Sequence, residues 1–348
     1  MRKSQEFYRG CLLGGAVGDA LGWPVEFDRM HDILQQYGAK GITDLVTRKN
    51  GLAEITDDTQ MTIFTAEGLL RAIARANRKG SCHWPSEVHT AYLRWLYTQG
   101  ELPGWKDHPN NNGWIKDVRE LYVRRGPGRT CLSALESGEM GTIAKPINNS
   151  KGCGGVMRVA PVGLVCDKNG AFRLACECAA LTHGHPSGYL SAGVLAQIVA
   201  CVMEGMELND AVQEGIKELR SYEGHEECLR ALHHAIELSM TPKDPAAAIP
   251  LLGEGWTGEE AIAIAVYCAL KYKNDFRNAV IAAVNHNGDS DSTGAITGNI
   301  LGAYLGTKGI PADWIKKVEL ADVLTQVADD LLIQFEDNQE WWDRYPGA

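Results

Sequence analysis

Two short acidic clusters hold the residues of this 348-residue chain best suited to chemistry. The first is Thr56, Asp57, Asp58 and Thr59, directly ahead of a helical run from Met61 to Ala76. The second spans Asn285 to Thr293, contains Asp289, Ser290, Asp291 and Ser292, and leads into a glycine-rich helix. The first cluster alone reads as a helix cap, with Thr at the N-cap and carboxylates facing the exposed N–H groups and the positive end of the dipole; the second, two carboxylates one residue apart and each followed by a hydroxyl, resembles half of a hard-cation site. Together they say more. Four carboxylates with hydroxyls at Thr56 and Ser292 are oxygen-only ligands of the kind Mg2+ or Mn2+ prefers, whereas zinc would favour thiolates or imidazoles. The Asp289–Asp291 spacing is too short for an EF-hand loop and lacks the later Glu. Both clusters sit at predicted helix starts, so two N-termini can converge on one or two ions. Without a cation, four converging carboxylates would repel one another and raise one another's pKa. A metal accounts for the arrangement where capping alone does not.

The elements that must position these clusters are helices. Ile63, Ala66, Leu69, Leu70 and Ile73 repeat at three and four residues, as do Leu190, Val194, Ile198 and Cys201, and Ile262, Val266, Ala269 and Leu270. Alternating runs of β-branched and aromatic residues are nearly absent, so the expected fold is all-α. Pro85 suits a first helical turn, and Thr257 with Glu260 fits a reciprocal capping box. Gly10 to Gly22 and Gly294 to Gly306 combine helical apolar spacing with many Gly and Ala. Glycine costs about 1 kcal/mol per helix-interior position, so another backbone or a ligand must come close, and both read as central helices. Trp105 to Gly113 and Met140 to Gly155 read as loops, neither with the composition of a domain linker, so one compact domain over residues 1–348 is expected.

Composition narrows the function classes. Hydrophobic residues make up 45% and charged residues 22%, which is globular usage and excludes disorder. With 34 Lys plus Arg against 44 Asp plus Glu the net charge is −10, which argues against nucleic-acid binding by general electrostatic attraction. Ten dilute cysteines without paired C-x-x-C spacing read as reduced thiols in a cytoplasmic protein. The apolar run Cys11 to Gly18 is bracketed by Glu6 and Asp19, unlike a secretion signal. No stretch reaches the roughly 20 apolar residues of a membrane span, and Gln197 interrupts the best candidate, Ala192 to Met203. Cys176, Cys178, His183 and His185 do not make a zinc site, because the two cysteines point to different helix faces. His233 and His234 read as surface or capping residues, and no G-x-S-x-G elbow supports a serine hydrolase.

Five collinear motifs carry a resemblance: GCLLGGAVGDALGWPVEF at 10 to 27, ITDDTQMTIF at 55 to 64, GCGGVMRVAPVGL at 152 to 164, LTHGHPSGY at 181 to 189 and NGDSDSTGAITGNILGAYLG at 287 to 306. Across nearly its whole length the chain resembles the ADP-ribosylglycohydrolase family, the group related to dinitrogenase reductase-activating glycohydrolase and the ADP-ribosylarginine hydrolases. The resemblance implies one mainly helical domain with a central dinuclear site. It implies metal ligands at Thr56, Asp57, Asp58, Asp289, Asp291 and Ser292, the last standing where the family usually has Thr. It places Glu26 near the metals and the scissile ribose, with Asp19 either supporting the ligands or tying two helices together. It gives the loop Gly152, Cys153, Gly154, Gly155 a diphosphate to cradle, glycine letting backbone N–H groups approach. Cys153 stands where the family often has Asn, which puts that side chain's hydrogen bond in doubt and presents a thiol near substrate. His183 would face the ribose or phosphate side of the cleft.

The implied reaction is metal-dependent hydrolysis of the N-glycosidic bond between ADP-ribose and a protein arginine, through an oxocarbenium-like state. Two divalent cations, Mg2+ or Mn2+, would be the cofactors and an ADP-ribosylated protein the partner. Glu26, Asp58 and Asp291 are the candidate catalytic carboxylates, with acid and base undivided among them. Asp107 is a candidate partner for the guanidinium, and Trp105, Trp114 and Tyr189 are candidates for stacking on adenine or for core and lid packing. Two other classes stay open. One is an immunity protein that neutralises an ADP-ribosyltransferase toxin by occlusion, by reversing its modification, or both; the family motif beginning by Gly10 leaves little room for an occluding N-terminal extension. The other is a Mg-dependent nucleotide phosphohydrolase, which would release phosphate instead of ADP-ribose.

Overall fold

Glycines spaced four apart decide how the centre of the molecule is built. The computed structural model describes residues 1–347. Seven of its helices matter for the site: α1 (Gln5–Gly22), α2 (Asp57–Lys79), α3 (Trp84–Thr98), α4 (Arg129–Glu136), α5 (Pro186–Met203), α6 (Gly258–Lys271) and α7 (Ser290–Leu305). Among the described residues there are isolated bridges but no strand. The three periodic runs lie in α2, α5 and α6, and Pro85 opens α3.

Helices α1 and α7 run antiparallel in contact along their length. A Cβ on Gly10 would overlap the carbonyl oxygen of Gly302; on Gly14 that of Gly298; on Gly18 that of Gly294; on Gly22 that of Ser290. The two glycine-rich segments are therefore each other's partner. Missing Cβ atoms let the backbones close to Cα–H···O range, which offsets the helix propensity lost at each glycine. The register has a consequence for the site. It sets Gly22, the last residue of α1, beside the first residue of α7, and the 3-10 turn Trp23–Val25 then delivers Glu26 to the same place.

Asp19 joins a third helix to this pair. Its carboxylate, fully buried on α1, accepts hydrogen bonds from the amides and hydroxyls of Thr56 and Thr59 at the start of α2. Burial raises its pKa to about 6, with those four donors pulling the other way.

The expected capping box at α6 does not form. Thr257 makes no cap bond and its hydroxyl is buried without a partner. Its backbone is committed elsewhere: Cys153 N–H donates to the Trp256 carbonyl (3.1 Å) and Gly258 N–H to that of Lys151 (2.8 Å). Gly253 and Gly255, at φ +122° and +83°, fold the chain back so that Glu260 takes the amides of Glu254 and Gly255 instead. That loop also binds the second acidic cluster, through Asp289 N–H to the Glu254 carbonyl (2.8 Å).

Helix α5 is apolar and long enough to cross a membrane, but it is buried in the core, with Gln197 donating to the Lys168 carbonyl. The loop from Trp105 to Gly113 is held from beneath by buried Arg71 and Arg94, which share Glu67 and bind Asn112 and the Asn110 carbonyl. All ten cysteines are free thiols.

Candidate metal centre and active site

The three helix ends meet at a cavity of about 310 Å3. Asp57 and Asp58 come from the first turn of α2, Asp289, Asp291 and Ser292 from the start of α7, and Glu26 from the turn after α1; all six line it. Glu26, Asp289 and Asp291 each offer a carboxylate oxygen within 4.8 Å of the other two. The capping reading of the first cluster holds, with Thr56 the N-cap of α2, and the second cluster caps its helix too. Asp289 is the N-cap of α7, its Oδ1 accepting the Ser292 amide at 3.3 Å, and Asp291 Oδ1 accepts the same amide at 2.9 Å. Thr56 stands behind the cluster and does not line the cavity. Its hydroxyl donates to Asp19 at 2.9 Å and accepts from the Asp58 amide at 3.3 Å.

All five cavity carboxyls are buried. Burial, then the charges of Asp289, Asp57 and Asp19, pushes Glu26 up to about 9. Burial likewise holds Asp58 well above the carboxylate range, with Asp57, Asp19 and Asp289 adding to it, and holds Asp291 there with Asp58 and Glu26 adding to it. Asp57 is raised by burial despite the 3.4 Å hydrogen bond from Gly128 N–H. Two oxygens, Glu26 Oε2 and Asp58 Oδ2, are buried with no hydrogen-bond donor. A carboxylate oxygen removed from water without a partner is costly, and a cation is what would answer it. The donor set fits a divalent metal.

Gly152, Cys153 and Gly154 form another wall, with Gly155 one step behind. Packing alone requires two of these glycines. A Cβ on Gly154 would lie 2.9 Å from Cys131 Sγ and from the His183 ring, and one on Gly155 would lie 2.6 Å from the Gly188 carbonyl of α5. Cys153 Sγ contacts Asp289 Oδ2 at 2.7 Å.

His183 also lines the cavity, and its neighbours fix its state. Burial, with the Arg158 cation adding to it, lowers its pKa to about 3, so the ring is neutral. Arg158 Nη2 donates to Thr182 Oγ1 at 2.7 Å, and that hydroxyl lies 2.8 Å from His183 Nδ1. Thr182 Oγ1 accepts from the guanidinium, and among the described residues Nδ1 is the one acceptor within hydrogen-bond reach of its buried hydroxyl proton; donation to Nδ1 satisfies that proton and leaves the ring proton on Nε2. Nε2 faces the glycine wall, 3.4 Å from where a Cβ on Gly152 would lie and 3.2 Å from one on Gly154. The cavity therefore receives a neutral N–H donor suited to a phosphate or ribose oxygen.

The profile of the family described as ADP-ribosylglycohydrolase matches residues 2–341. The chain belongs to that family. Among its relatives in this family, an uncharacterised protein of Archaeoglobus fulgidus is 30% identical, covering 94% of this chain and 96% of its own length. The ADP-ribosyl-dinitrogen reductase glycohydrolase of Rhodospirillum rubrum is 28% identical, over 89% of this chain and 90% of the relative. A solved structure, an ADP-ribosylglycohydrolase-related protein complex, shares the fold at TM-score 0.67 and 24% identity, over 96% and 99% of the two chains. The family and its named relatives support ADP-ribosyl hydrolase activity, and the nearly all-helical architecture is the fold expected of it.

Several expected positions fall outside the cavity of this glycohydrolase-family chain. Asp107 is exposed in its loop and does not line the site. Trp105 stacks on His108 with ring centroids 4.3 Å apart, while Trp114 and Tyr189 pack on the core. The cavity's aromatic residues are instead Phe27 and Trp256, 71% and 38% exposed, stacked at 5.9 Å. The segment from Gly126 to Cys131 forms a further wall, presenting the exposed Arg129 and the start of α4. Neither feature stood out in the sequence. Phe27 directly follows Glu26 and offered one weak hint; Gly126-Pro-Gly-Arg reads as an ordinary turn.

Proposed function

We propose that this protein is a divalent-cation-dependent hydrolase that releases ADP-ribose from modified protein side chains, with N-linked ADP-ribosyl-arginine as its preferred substrate. The observation that carries the reading is the convergence of five buried, cation-poor carboxyls from three helix ends beside a glycine loop and a neutral histidine donor. Asp57, Asp58, Asp289, Asp291 and Ser292, with Thr56 behind them, would hold two Mg2+ or Mn2+ ions. Those ions would supply positive charge that anchors ribose hydroxyls and makes a water more acidic.

The rest falls to the chain itself. Hydrolysis breaks the C1''–N bond, places the water's hydroxyl on C1'' and returns a proton to the guanidine nitrogen. Glu26, with Oε2 facing no other donor, is positioned to take the water's proton and hand it on once cations restore its charge. His183 Nε2–H and the glycine wall would hold phosphate or ribose oxygens, and Arg129 at the rim adds a positive charge for the diphosphate. The arginine preference rests on the acidic wall and the exposed Phe27–Trp256 rings, since carboxylates and aromatic faces both favour a planar cation.

Incubation with arginine- and serine-ADP-ribosylated proteins, each with Mg2+, Mn2+ or EDTA, tests the reading. Free ADP-ribose should appear with a metal and not with EDTA. Loss of ADP-ribose from neither substrate under any metal would end the hydrolase reading; faster release from serine would end only the arginine preference. Phosphate release in place of ADP-ribose would favour the phosphohydrolase.

A further inference from the structure

A buried ion pair outside the cavity ties two of its walls together. Arg125 directly precedes the wall that starts at Gly126, and its guanidinium grips Glu319 with both terminal nitrogens, Nη1 donating to Oε2 and Nη2 to Oε1 at 3.3 Å. Nη1 also donates to the Ile55 carbonyl at 2.9 Å, and Nη2 lies 3.4 Å from Glu54 Oε1. Glu319 takes the Ile55 amide at 3.3 Å, and its own amide donates to the Ala53 carbonyl at 3.0 Å. The pair thus fixes residues 53–55, from which the chain enters the first acidic cluster. The backbone closes the same clasp from the other side. The Arg125 carbonyl accepts the Asp57 amide at 3.1 Å, one of the orphan donors at the start of α2, and Gly128 N–H reaches Asp57 Oδ2 at 3.4 Å. Gly126, at φ +65°, brings the wall so near that a Cβ there would lie 3.3 Å from Asp57 Oδ1 and 3.6 Å from Glu26 Oε2.

We propose that Arg125 and Glu319 are positioning residues of this site. Neither lines the cavity, yet together they hold Asp57 and the wall from Gly126 to Arg129 in one register, so cation affinity and the grip on substrate depend on the pair jointly. The inference rests on the acidic cluster being the cation centre of an ADP-ribosyl hydrolase. Bonding Glu319 through two nitrogens and the Ile55 carbonyl at once needs a planar fork. Lysine brings the same charge without that geometry, so Arg125→Lys separates the two.

Full-length Arg125→Lys, Glu319→Gln and the double variant are compared with Arg94→Lys, which weakens another buried pair, between Arg94 on α3 and Glu67 on α2. Mn2+ affinity is read by electron paramagnetic resonance, and ADP-ribose affinity by calorimetry at saturating Mn2+, both well below every melting temperature. Arg125→Lys and Glu319→Gln should each bind Mn2+ and ADP-ribose about tenfold more weakly. The double variant should be about as weak as the worse single one, because both changes remove the same interaction. Arg94→Lys should melt lower with both affinities unchanged. Wild-type affinities in Arg125→Lys and Glu319→Gln overturn the proposal while Mn2+ binding leaves the cation site standing. Loss of one affinity without the other overturns the shared register, and equal losses in Arg94→Lys would trace the effect to stability alone and overturn it as well. Failure of Mn2+ to bind the wild type overturns the cation-site reading and this proposal with it.

Discussion

Glu26 and Asp58 each keep a buried carboxyl oxygen that protein atoms leave unsatisfied, and substitutions in the cluster should separate function from stability. Asp291 is raised by burial and by its acidic neighbours, while its Oδ1 accepts the Ser292 amide. Asp291→Asn keeps that acceptor and removes a charge, so the metal-free protein should melt a few degrees higher, while Mn2+ affinity falls at least tenfold and turnover is lost. Calorimetric melting with and without Mn2+ reads both effects; a lower metal-free melting point would contradict the repulsion account. At His183 the decisive neighbour is Thr182, which fixes the tautomer. Thr182→Val should raise KM about tenfold with kcat little changed, the worth of one hydrogen bond near 1.4 kcal/mol. Nitrogen-15 NMR of the imidazole would show the Nε2–H form lost as the principal tautomer; an unchanged tautomer would refute the relay. The Thr-His step was visible in the sequence, but its chemistry was not, because the donor that orients Thr182 is Arg158, brought in from a distant segment.

At the scale of elements, periodicity and glycine content showed which segments are central helices but not how they pair. The pairing of Gly10, Gly14, Gly18 and Gly22 with Gly302, Gly298, Gly294 and Ser290 is a property of two chain segments nearly 300 residues apart, and it sets where Glu26 arrives. Gly18→Ala should therefore act twice. A methyl group pressed against the Gly294 carbonyl should destabilise the fold by about 2 kcal/mol, and separating α1 from α7 should weaken cation binding as well. Chemical denaturation measures the first effect and Mn2+ titration the second; loss of stability with unaltered Mn2+ affinity would show that the register does not govern the site. Local signals failed where a neighbouring turn overrode them. Thr257 and Glu260 have the spacing of a capping box, yet the positive-φ glycines at 253 and 255 give Glu260 nearer amides to bind. The wall from Gly126 to Cys131 was missed because a turn sequence does not say what it faces. Arg129, exposed and in no ion pair among the described residues, should matter through charge alone. Arg129→Ala should raise KM for an ADP-ribosylated substrate several-fold, more at low than at high salt, and leave the melting point within a degree or so.

For the whole molecule, the net charge of −10 is unevenly distributed in its effect: the carboxylates that matter are those folding buries together. Glu26 is raised from 4.5 to about 9, and Asp57, Asp58 and Asp291 shift the same way. A carboxyl whose pKa is higher folded than unfolded holds its proton more tightly in the native state. Its contribution is thus present below the unfolded pKa and lost as pH rises through the folded one. In EDTA, stability should fall from about pH 5 toward about pH 9, the window set by Glu26. His183 acts on the other side. Lowered to about 3, it favours the native state above its ordinary value of 6.5, and that contribution is lost as pH falls toward 3. Cations bound to the cluster hold the carboxyls ionised, so the alkaline loss should vanish when they are present. The gain in melting temperature from Mg2+ or Mn2+ over EDTA should then be small near about pH 5 and grow steadily toward about pH 8 to 9, because ions compete with protons for the same oxygens. Thermal melts across that range with and without metal test the linkage, and a gain independent of pH would mean that the ions stabilise the protein somewhere other than these carboxyls.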